Sequence, residues 1–171
     1  GTLLVKVAKE TGTGAVTFQW YKVEDGKETA VGSATTKNQF DLSAQKLSAG
    51  QHTFRFSATC DGYVKMSKDI VVTVQKATPI VVTVPTVAER EYNPDAALTG
   101  SDMTGGSVTG VDGNELAGTW SFTGTNIVPT VNNTDYQAVF TPDDTNNYNT
   151  VTRTITVKVT KATPVIAEKP T

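Results

Sequence analysis

The feature that most constrains this chain is a segment that occurs twice. Lys-Ala-Thr-Pro stands at residues 76–79 and again at residues 161–164, 85 positions later. A valine-rich run precedes each copy, at residues 70–75 and 155–160. Because a fixed offset between identical segments marks repeated modules with similar linkers, the sequence predicts two modules rather than one large domain. We call the two segments the first joint (76–79) and the second joint (161–164).

The abundance of β-branched residues predicts the fold class. Threonine and valine together account for 52 of the 171 residues. Both side chains are stiff at χ1 and suit the pleated, half-buried surface of a sheet. No long stretch shows the apolar period of a helix. The chain is therefore predicted to be all-β.

Charge and hydropathy narrow the classes of partner. The net charge of −2 comes from scattered residues, so no basic patch is available for nucleic acid or anionic lipid. No run of about 18 apolar residues is present, so we expect no membrane insertion. The single cysteine, Cys60, cannot form an intramolecular disulfide. We expect a monomer, and the partner stays unknown, with a host protein or a glycan as the open classes.

The clearest strand of the first module is residues 52–60, in which apolar and polar side chains alternate strictly. Such alternation predicts a strand that is buried on one face and wet on the other. The apolar face holds Phe54, Phe56, Ala58 and Cys60. Further strands are predicted at 3–7, 16–23 and around Ile70, Val72 and Val74, with turns at 12–14, 25–26 and 61–62.

The second module shows the same pattern of short apolar runs separated by turn residues. Strands are predicted at 80–84, 118–124, 136–140 and 148–160, with a loop-rich middle at 100–113 and a turn at 143–147. In the last strand Val151, Ile155, Val157 and Val159 share a face, and Arg153 on that face is expected near the exposed end. Strands at this spacing predict an antiparallel sandwich.

Both modules carry a family resemblance. Thr-Phe-Gln-Trp-Tyr-Lys at 17–22 and Leu-Ser-Ala-Gly-Gln-His-Thr-Phe at 47–54 resemble bacterial immunoglobulin-like domains, with His52 in the place of the tyrosine of the family's corner. Residues 76–164 are similar to the MBG-type (mostly bacterial) immunoglobulin-like repeat. The matching stretches are the first joint, Gly-Thr-Trp-Ser-Phe at 118–122, Val-Pro-Thr-Val at 128–131 and Phe-Thr-Pro-Asp-Asp-Thr-Asn-Asn-Tyr at 140–148.

This resemblance implies two tandem immunoglobulin-like antiparallel β-sandwiches. Their expected bounds are residues 1–75 and 76–163, with 164–171 as the start of a truncated next repeat or a tail. Such modules form stalks, spacers or adhesive segments of large secreted or cell-wall-anchored bacterial proteins, so an extracellular location is expected. The family shares no catalytic residues, so the expectation is a non-enzymatic structural module without cofactor. A ligand-binding module and an accessory domain of a secreted carbohydrate-active enzyme are the alternatives.

A few single residues could take part in catalysis, metal binding or sugar binding. His52, the one histidine, favours a corner or surface role over catalysis, and Cys60 favours a small buried hydrophobe over a reactive thiol. The carboxylates and amides of residues 143–147 could offer oxygens to calcium, but a turn is favoured. Tyr21 and Tyr92 are the expected exposed platforms for a sugar, whereas Trp20, Trp120 and Tyr136 are expected inside. No catalytic, cofactor-binding or metal residue is assigned.

Two further expectations concern the use of the modules as a stalk. An intramolecular Lys–Asn isopeptide cross-link would need a buried lysine, and the lysines fall mostly on polar faces, so the cross-link is disfavoured. Proline at position 79 biases the preceding Thr78 toward extended backbone, and no glycine interrupts residues 70–79. The connection between the modules is therefore predicted to be semi-rigid.

Overall fold

The computed structural model of the protein describes residues 2–6 and 14–165. Contacts within the chain divide it into two compact units, Gly1–Gln75 (unit 1) and Lys76–Thr171 (unit 2). The all-β class is confirmed: strands make up both units, and the described ranges hold only two single-turn 3₁₀ helices besides them. No helix in these ranges is long and apolar enough to cross a membrane. The immunoglobulin-like identity of the units stays a prediction.

Unit 1 consists of a four-stranded sheet and a two-stranded sheet, both antiparallel. The large sheet has the order β3-β2-β5-β6, and the small one pairs β1 with β4. A 3₁₀ turn at Ser43–Gln45 follows β4. The strands are β1 (Thr2–Leu4), β2 (Thr17–Glu24), β3 (Lys27–Thr35), β4 (Gln39–Asp41), β5 (Gly50–Thr59) and β6 (Met66–Val74).

The core of unit 1 lies between its two sheets. Phe18 and Trp20 of β2 are buried against Phe56 and Ala58 of β5. The Trp20 ring stacks on Phe40 of β4, with centroids 5.0 Å apart. An aromatic pair that links facing sheets excludes water from both, which is the packing of a sandwich. The predicted inward faces of residues 16–23 and 52–60 are confirmed for these side chains.

The predicted turns at 25–26 and 61–62 are confirmed, and two strands of unit 1, β3 and β4, were not predicted. Asp25 and Gly26 both have positive φ, as a two-residue hairpin between β2 and β3 requires. β3 is an edge strand and β4 has three residues, and neither has a buried side chain. Without burial there is no apolar alternation in the sequence to reveal a strand. Residues 7–13, which include the first part of the predicted turn at 12–14, lie outside the described residues.

Unit 2 is built from shorter strands in four small sheets. Its strands are β7 (Ile80–Thr83), β8 (Thr86–Val87), β9 (Arg90–Glu91), β10 (Met103–Thr104), β11 (Ser107–Thr109), β12 (Gly118–Phe122), β13 (Asp135–Pro142), β14 (Val151–Thr156) and β15 (Val159–Thr160). The largest sheet has the antiparallel order β12-β13-β14, and the pairs are β7–β11, β8–β10 and β9–β15. The region predicted as a loop, 100–113, contains β10, β11 and a 3₁₀ turn at Gly100–Asp102.

The core of unit 2 has two clusters that share one tryptophan. One cluster contains Tyr136 and Ala138 of β13, and the other contains Phe140. Trp120 is half-buried and packs against both clusters. Gly118 lets the Phe140 ring approach the backbone of β12, since a Cβ there would lie 2.4 Å from that ring.

The prediction of one continuous strand at 148–160 was wrong. Tyr148 forms only an isolated bridge, and the strand breaks after Thr156, where the Val157 amide donates to Thr134 O (2.7 Å). The chain then changes partner, because β15 pairs parallel with β9. Arg153 lies mid-strand opposite Ala138, not at an end, and its exposed guanidinium donates to Thr152 O.

Each unit contains a side-chain hydrogen bond that fastens the turn before its central strand. In unit 2 the buried Tyr136 Oη donates to Asn133 O (2.6 Å) and accepts from the Thr130 amide (3.1 Å). In unit 1 His52 Nε2 lies 2.8 Å from Ser48 O, a bond that requires the Nε2–H form. The histidine thus makes the corner bond that a tyrosine makes in the second unit.

We expect Tyr136→Phe to lower the free energy of unfolding by about 1–3 kcal/mol, because the Asn133 carbonyl and Thr130 amide lose a partly buried partner. Urea unfolding followed by tryptophan fluorescence measures the change. Tyr63→Phe is the matched control, since Tyr63 is 44% exposed and its hydroxyl bonds to no described residue, and it should leave stability unchanged. Equal effects of the two substitutions would contradict the role of the Tyr136 corner.

Candidate functional site

The residues that could act as nucleophile and base are far apart. His52 lies near the start of β5, and Cys60 follows its last residue. They are eight positions apart on extended chain, which corresponds to about 27 Å. A Cys–His pair requires hydrogen-bond distance, so these two residues cannot form one.

Cys60 is half-buried, not buried as predicted. β5 ends one residue earlier, so Cys60 leaves the apolar face that Phe54, Phe56 and Ala58 share. Its Sγ lies 3.5 Å from Gly14 O, a weak contact within unit 1. A Cβ on Gly14 would approach that sulfur to 3.2 Å, so the two residues are in close contact.

The predicted turn at 143–147 is confirmed, and its aspartate is engaged within the turn. Asp144 Oδ1 accepts from the Asn147 amide (3.1 Å), and Asp144 Oδ2 accepts from Asn147 Nδ2 (2.8 Å). The Tyr148 amide also donates to Asp144 O. Among the described residues no group of three or more histidine, cysteine or carboxylate side chains is placed to hold a metal ion. The oxygens here therefore organise a loop.

This loop, residues 143–149, holds the first joint. The Ala77 amide donates to Asn147 O and the Asn149 amide donates to Ala77 O, each at 2.8 Å. Lys76 Nζ donates to Thr145 O (2.6 Å), and Pro79 of the joint is buried. The joint is thus bonded on its backbone and on its lysine side chain by the loop of the unit that it begins. We call this arrangement the clasp.

The second joint has the same four residues in a different environment. All four are exposed, and the Thr163 amide donates to Glu91 Oε1 (3.2 Å). Ala162 has no hydrogen bond to any residue in the ranges that the structure describes. Val165, which follows the joint, is 91% exposed and belongs to no strand. Residues 166–171, most of the predicted truncated repeat, lie outside the described residues.

The aromatic residues are placed largely as predicted. Trp20 and Tyr136 are buried, and Tyr92 is 38% exposed. Tyr21 is half-buried, so the expectation of an exposed platform there was wrong. Tyr63, in the turn after β5, is exposed instead and was not among the predicted platforms. Its position beside Asp-Gly in the sequence was the signal that could have shown this.

Lysines of both units form exposed or partly exposed contacts. Lys22 Nζ lies 2.8 Å from Glu24 Oε1, and Lys158 Nζ lies 3.0 Å from Glu89 Oε2. The Lys158 side chain is largely exposed. An isopeptide cross-link needs an amine buried beside an amide and a carboxylic acid, and neither lysine meets that condition.

The polar face of the large sheet in unit 1 carries an ion-pair network across three strands. Arg55 of β5 donates from Nε and Nη2 to the two carboxylate oxygens of Asp69 on β6, at 2.5 and 2.8 Å. Its Nη1 bonds to Glu28 of β3. The Arg55 hydrogen bond lowers the pKa of Asp69, and the bonds to Asp69 and then Glu28 raise the pKa of Arg55.

Three other aspartates have a lowered pKa because local donors bond to the ionised carboxylate. The donors are the Ser43 amide for Asp41, the Thr99 amide for Asp102, and the Asn114 side chain for Asp112. Each aspartate closes a short turn. Their charges therefore serve local structure.

Comparisons with known proteins give limited similarity. No protein-family model matches the chain, and a search of curated proteins gives no match. Among solved structures, extracellular domains 3–5 of Drosophila OTK match with 12% identity and a TM-score of 0.27. That match covers 94% of this chain and 59% of the OTK chain.

The clasp predicts a difference in protease sensitivity between two identical sequences. Trypsin can cleave after Lys76 and after Lys161, and alanine follows in both. Because hydrogen bonds of about 1 kcal/mol each hold Ala77, we expect cleavage after Lys76 to be at least about tenfold slower. Mass spectrometry of timed digests measures both rates. Asp144→Ala should accelerate cleavage after Lys76 alone, and equal rates in the wild type would contradict the clasp.

The lowered pKa of Asp69 predicts acid sensitivity. A folded-state pKa below the unfolded value contributes stability that is present above about pH 4 and is lost as the pH falls through the folded-state pKa. We expect Asp69→Asn to reduce the loss of unfolding free energy between about pH 4 and pH 2, measured in urea. Asp61→Asn, which removes a carboxylate without a bonded partner in the described ranges, should keep the wild-type slope.

Proposed function

We propose that this chain is a non-enzymatic structural module of a large bacterial secreted or cell-wall-anchored protein, where it spaces and presents other parts of that protein and contributes to adhesion. Within this proposal unit 2 is an MBG-type immunoglobulin-like repeat. The observation that carries the proposal is the clasp. In unit 2 a loop of the module forms hydrogen bonds with the segment that begins the module. The first residues of the module therefore have a fixed position, which an array of modules joined end to end requires.

The chemistry of the side chains supports a structural role. The polar face of the large sheet in unit 1 is occupied by the Arg55–Asp69–Glu28 network, which leaves its charges paired. Paired charges and edge residues such as Lys27 discourage the pairing of one sheet edge with another. His52 is used in a corner, and about 27 Å of strand separates it from Cys60.

The second candidate function is a ligand-binding module for a glycan. One observation favours it: Tyr92, half-exposed, lines a depression in unit 2 together with polar residues. A structural module can carry such a site without depending on it. The two functions are therefore tested separately.

The test of location uses an antibody against this chain on intact cells of the organism that encodes it. We expect labelling without permeabilisation, because the proposed protein is displayed outside the cell. A cytoplasmic protein stained in parallel is the control for leakage. Labelling that appears only after lysis would overturn the proposal.

The test of the spacer role replaces residues 76–163 in the full-length protein. An unrelated sandwich of similar length should preserve adhesion of the cells, because a spacer acts through its folded dimensions. A glycine–serine linker with the same number of residues should reduce adhesion, because flexible chains have a shorter and variable reach. Loss of adhesion with the sandwich replacement would show that unit 2 acts by binding, and would contradict the spacer role.

A further inference from the structure

A shallow depression of about 420 Å³ lies on unit 2. Its volume falls in the range of about 300–1,000 Å³ that small-molecule sites occupy. The residues that line it come from three separate parts of the chain: the residue after β9, the turn before β13, and the second joint. They are Tyr92, Thr130, Val131, Asn132, Lys161 and Ala162.

The wall of the depression is held in place by backbone bonds and by bonds to the hydroxyls of Tyr136 and Thr130, which leave the side chains of Asn132 and Lys161 unused. The Tyr92 amide donates to Thr160 O (2.9 Å), which fixes Tyr92 beside the second joint. The Thr130 amide donates to the buried Tyr136 hydroxyl, and the Asn133 amide donates to Thr130 O and Thr130 Oγ1. The site is therefore preorganised, which lowers the entropy cost of binding.

Two polar side chains of the depression remain available to a ligand. Asn132 and Lys161 have no side-chain hydrogen bond or ion pair with any residue in the described part of the chain. The Asn132 amide offers a donor group and an acceptor, and the Lys161 ammonium offers three donors and a positive charge. Beside them stands the Tyr92 ring, 38% exposed.

Lys161 differs from the corresponding lysine of the first joint in its hydrogen-bond partners. Lys76 in the first joint donates to Thr145 O inside the clasp. Lys161 occupies the same place in the second joint, but it lines the depression and has no carboxylate within ion-pair distance among the described residues. An unpaired cation in a concave site favours an anionic ligand.

We propose that this depression binds an acidic sugar, a hexuronic acid unit of a glycan. The apolar face of the pyranose ring stacks on Tyr92, the Asn132 amide and the Thr130 hydroxyl bond to the sugar hydroxyls, and Lys161 binds the carboxylate. Tyrosine suits such a ligand because its ring is apolar and its hydroxyl is polar. The site adds a weak adhesive contact to the unit and is independent of the structural role.

Titration of the ¹⁵N-labelled full chain with trigalacturonate, followed by NMR, tests the proposal. We expect shifts confined to the amides that line the depression, and weaker binding of the neutral trisaccharide maltotriose. Tyr92→Ala should weaken trigalacturonate binding about tenfold or more, because the stacking surface is lost. Lys161→Gln should weaken trigalacturonate binding about threefold, in the range of an exposed ion pair, and leave maltotriose unaffected.

The chain supplies matched controls for both substitutions. Lys76→Gln changes the lysine of the identical tetrapeptide, and Tyr63→Ala removes an exposed tyrosine outside the depression; both should bind trigalacturonate as the wild type does. ¹⁵N spectra of all variants confirm that they are folded. Shifts spread over the surface, equal weakening by Lys76→Gln and Lys161→Gln, or complete competition by equimolar acetate would overturn the proposal. The location of the protein on cells does not affect this result.

Discussion

Both units depend on a central strand whose alternate side chains must leave water. β5 pairs with β2 and β6, and β13 pairs with β12 and β14, so the backbone of each central strand is bonded on both sides. The buried apolar side chains of β5 are Phe54, Phe56 and Ala58, and those of β13 are Tyr136, Ala138, Phe140 and Pro142. A register slip of one residue would expose either set. The neighbouring strands and the corners are therefore placed relative to these two strands.

The two units bury the apolar side chains of their central strands with different amounts of regular sheet. Unit 1 has a four-stranded sheet, whereas unit 2 divides its strands among small sheets. Pro85 separates β7 from β8, and Gly105 and Gly106, both with positive φ, separate β10 from β11. Proline cannot donate to a ladder, and glycine allows a sharp change of direction. Unit 2 compensates with bonds outside the ladders, such as the Tyr136 corner and the clasp.

The two joints show how far context decides the role of a sequence. Ala77 is bonded through both its amide and its carbonyl, and the loop that bonds it is itself ordered by Asp144. Ala162 lacks such a loop in the described part of the chain, and its neighbour Lys161 lines the depression of unit 2. The same tetrapeptide is therefore hydrogen-bonded into the beginning of unit 2 at residues 76–79, whereas at residues 161–164 it contributes to a surface depression.

The strands, turns and corner bonds differ in how well the sequence predicts them. The strand at 52–60 could be predicted from the sequence because one of its faces is buried. The turn at Asp25-Gly26 could be predicted because few residues tolerate positive φ. The edge strand β3 could not be predicted, because an exposed strand has no apolar alternation in its sequence. That His52 still makes a corner bond was also beyond the sequence, because the bond depends on where Ser48 O lies in space.

By itself, the sequence determined the all-β class, the inward faces of the central strands and the positions of the tight turns. These properties are local, because they follow from side-chain branching, period-two burial and the backbone freedom of single residues. Only the tertiary structure decided that the loop at 143–149 holds the first joint, that β15 pairs parallel with β9, and that Tyr92 and Lys161 line one depression. Each of these contacts joins residues about 70 positions apart, and a local pattern carries no information about such distant partners.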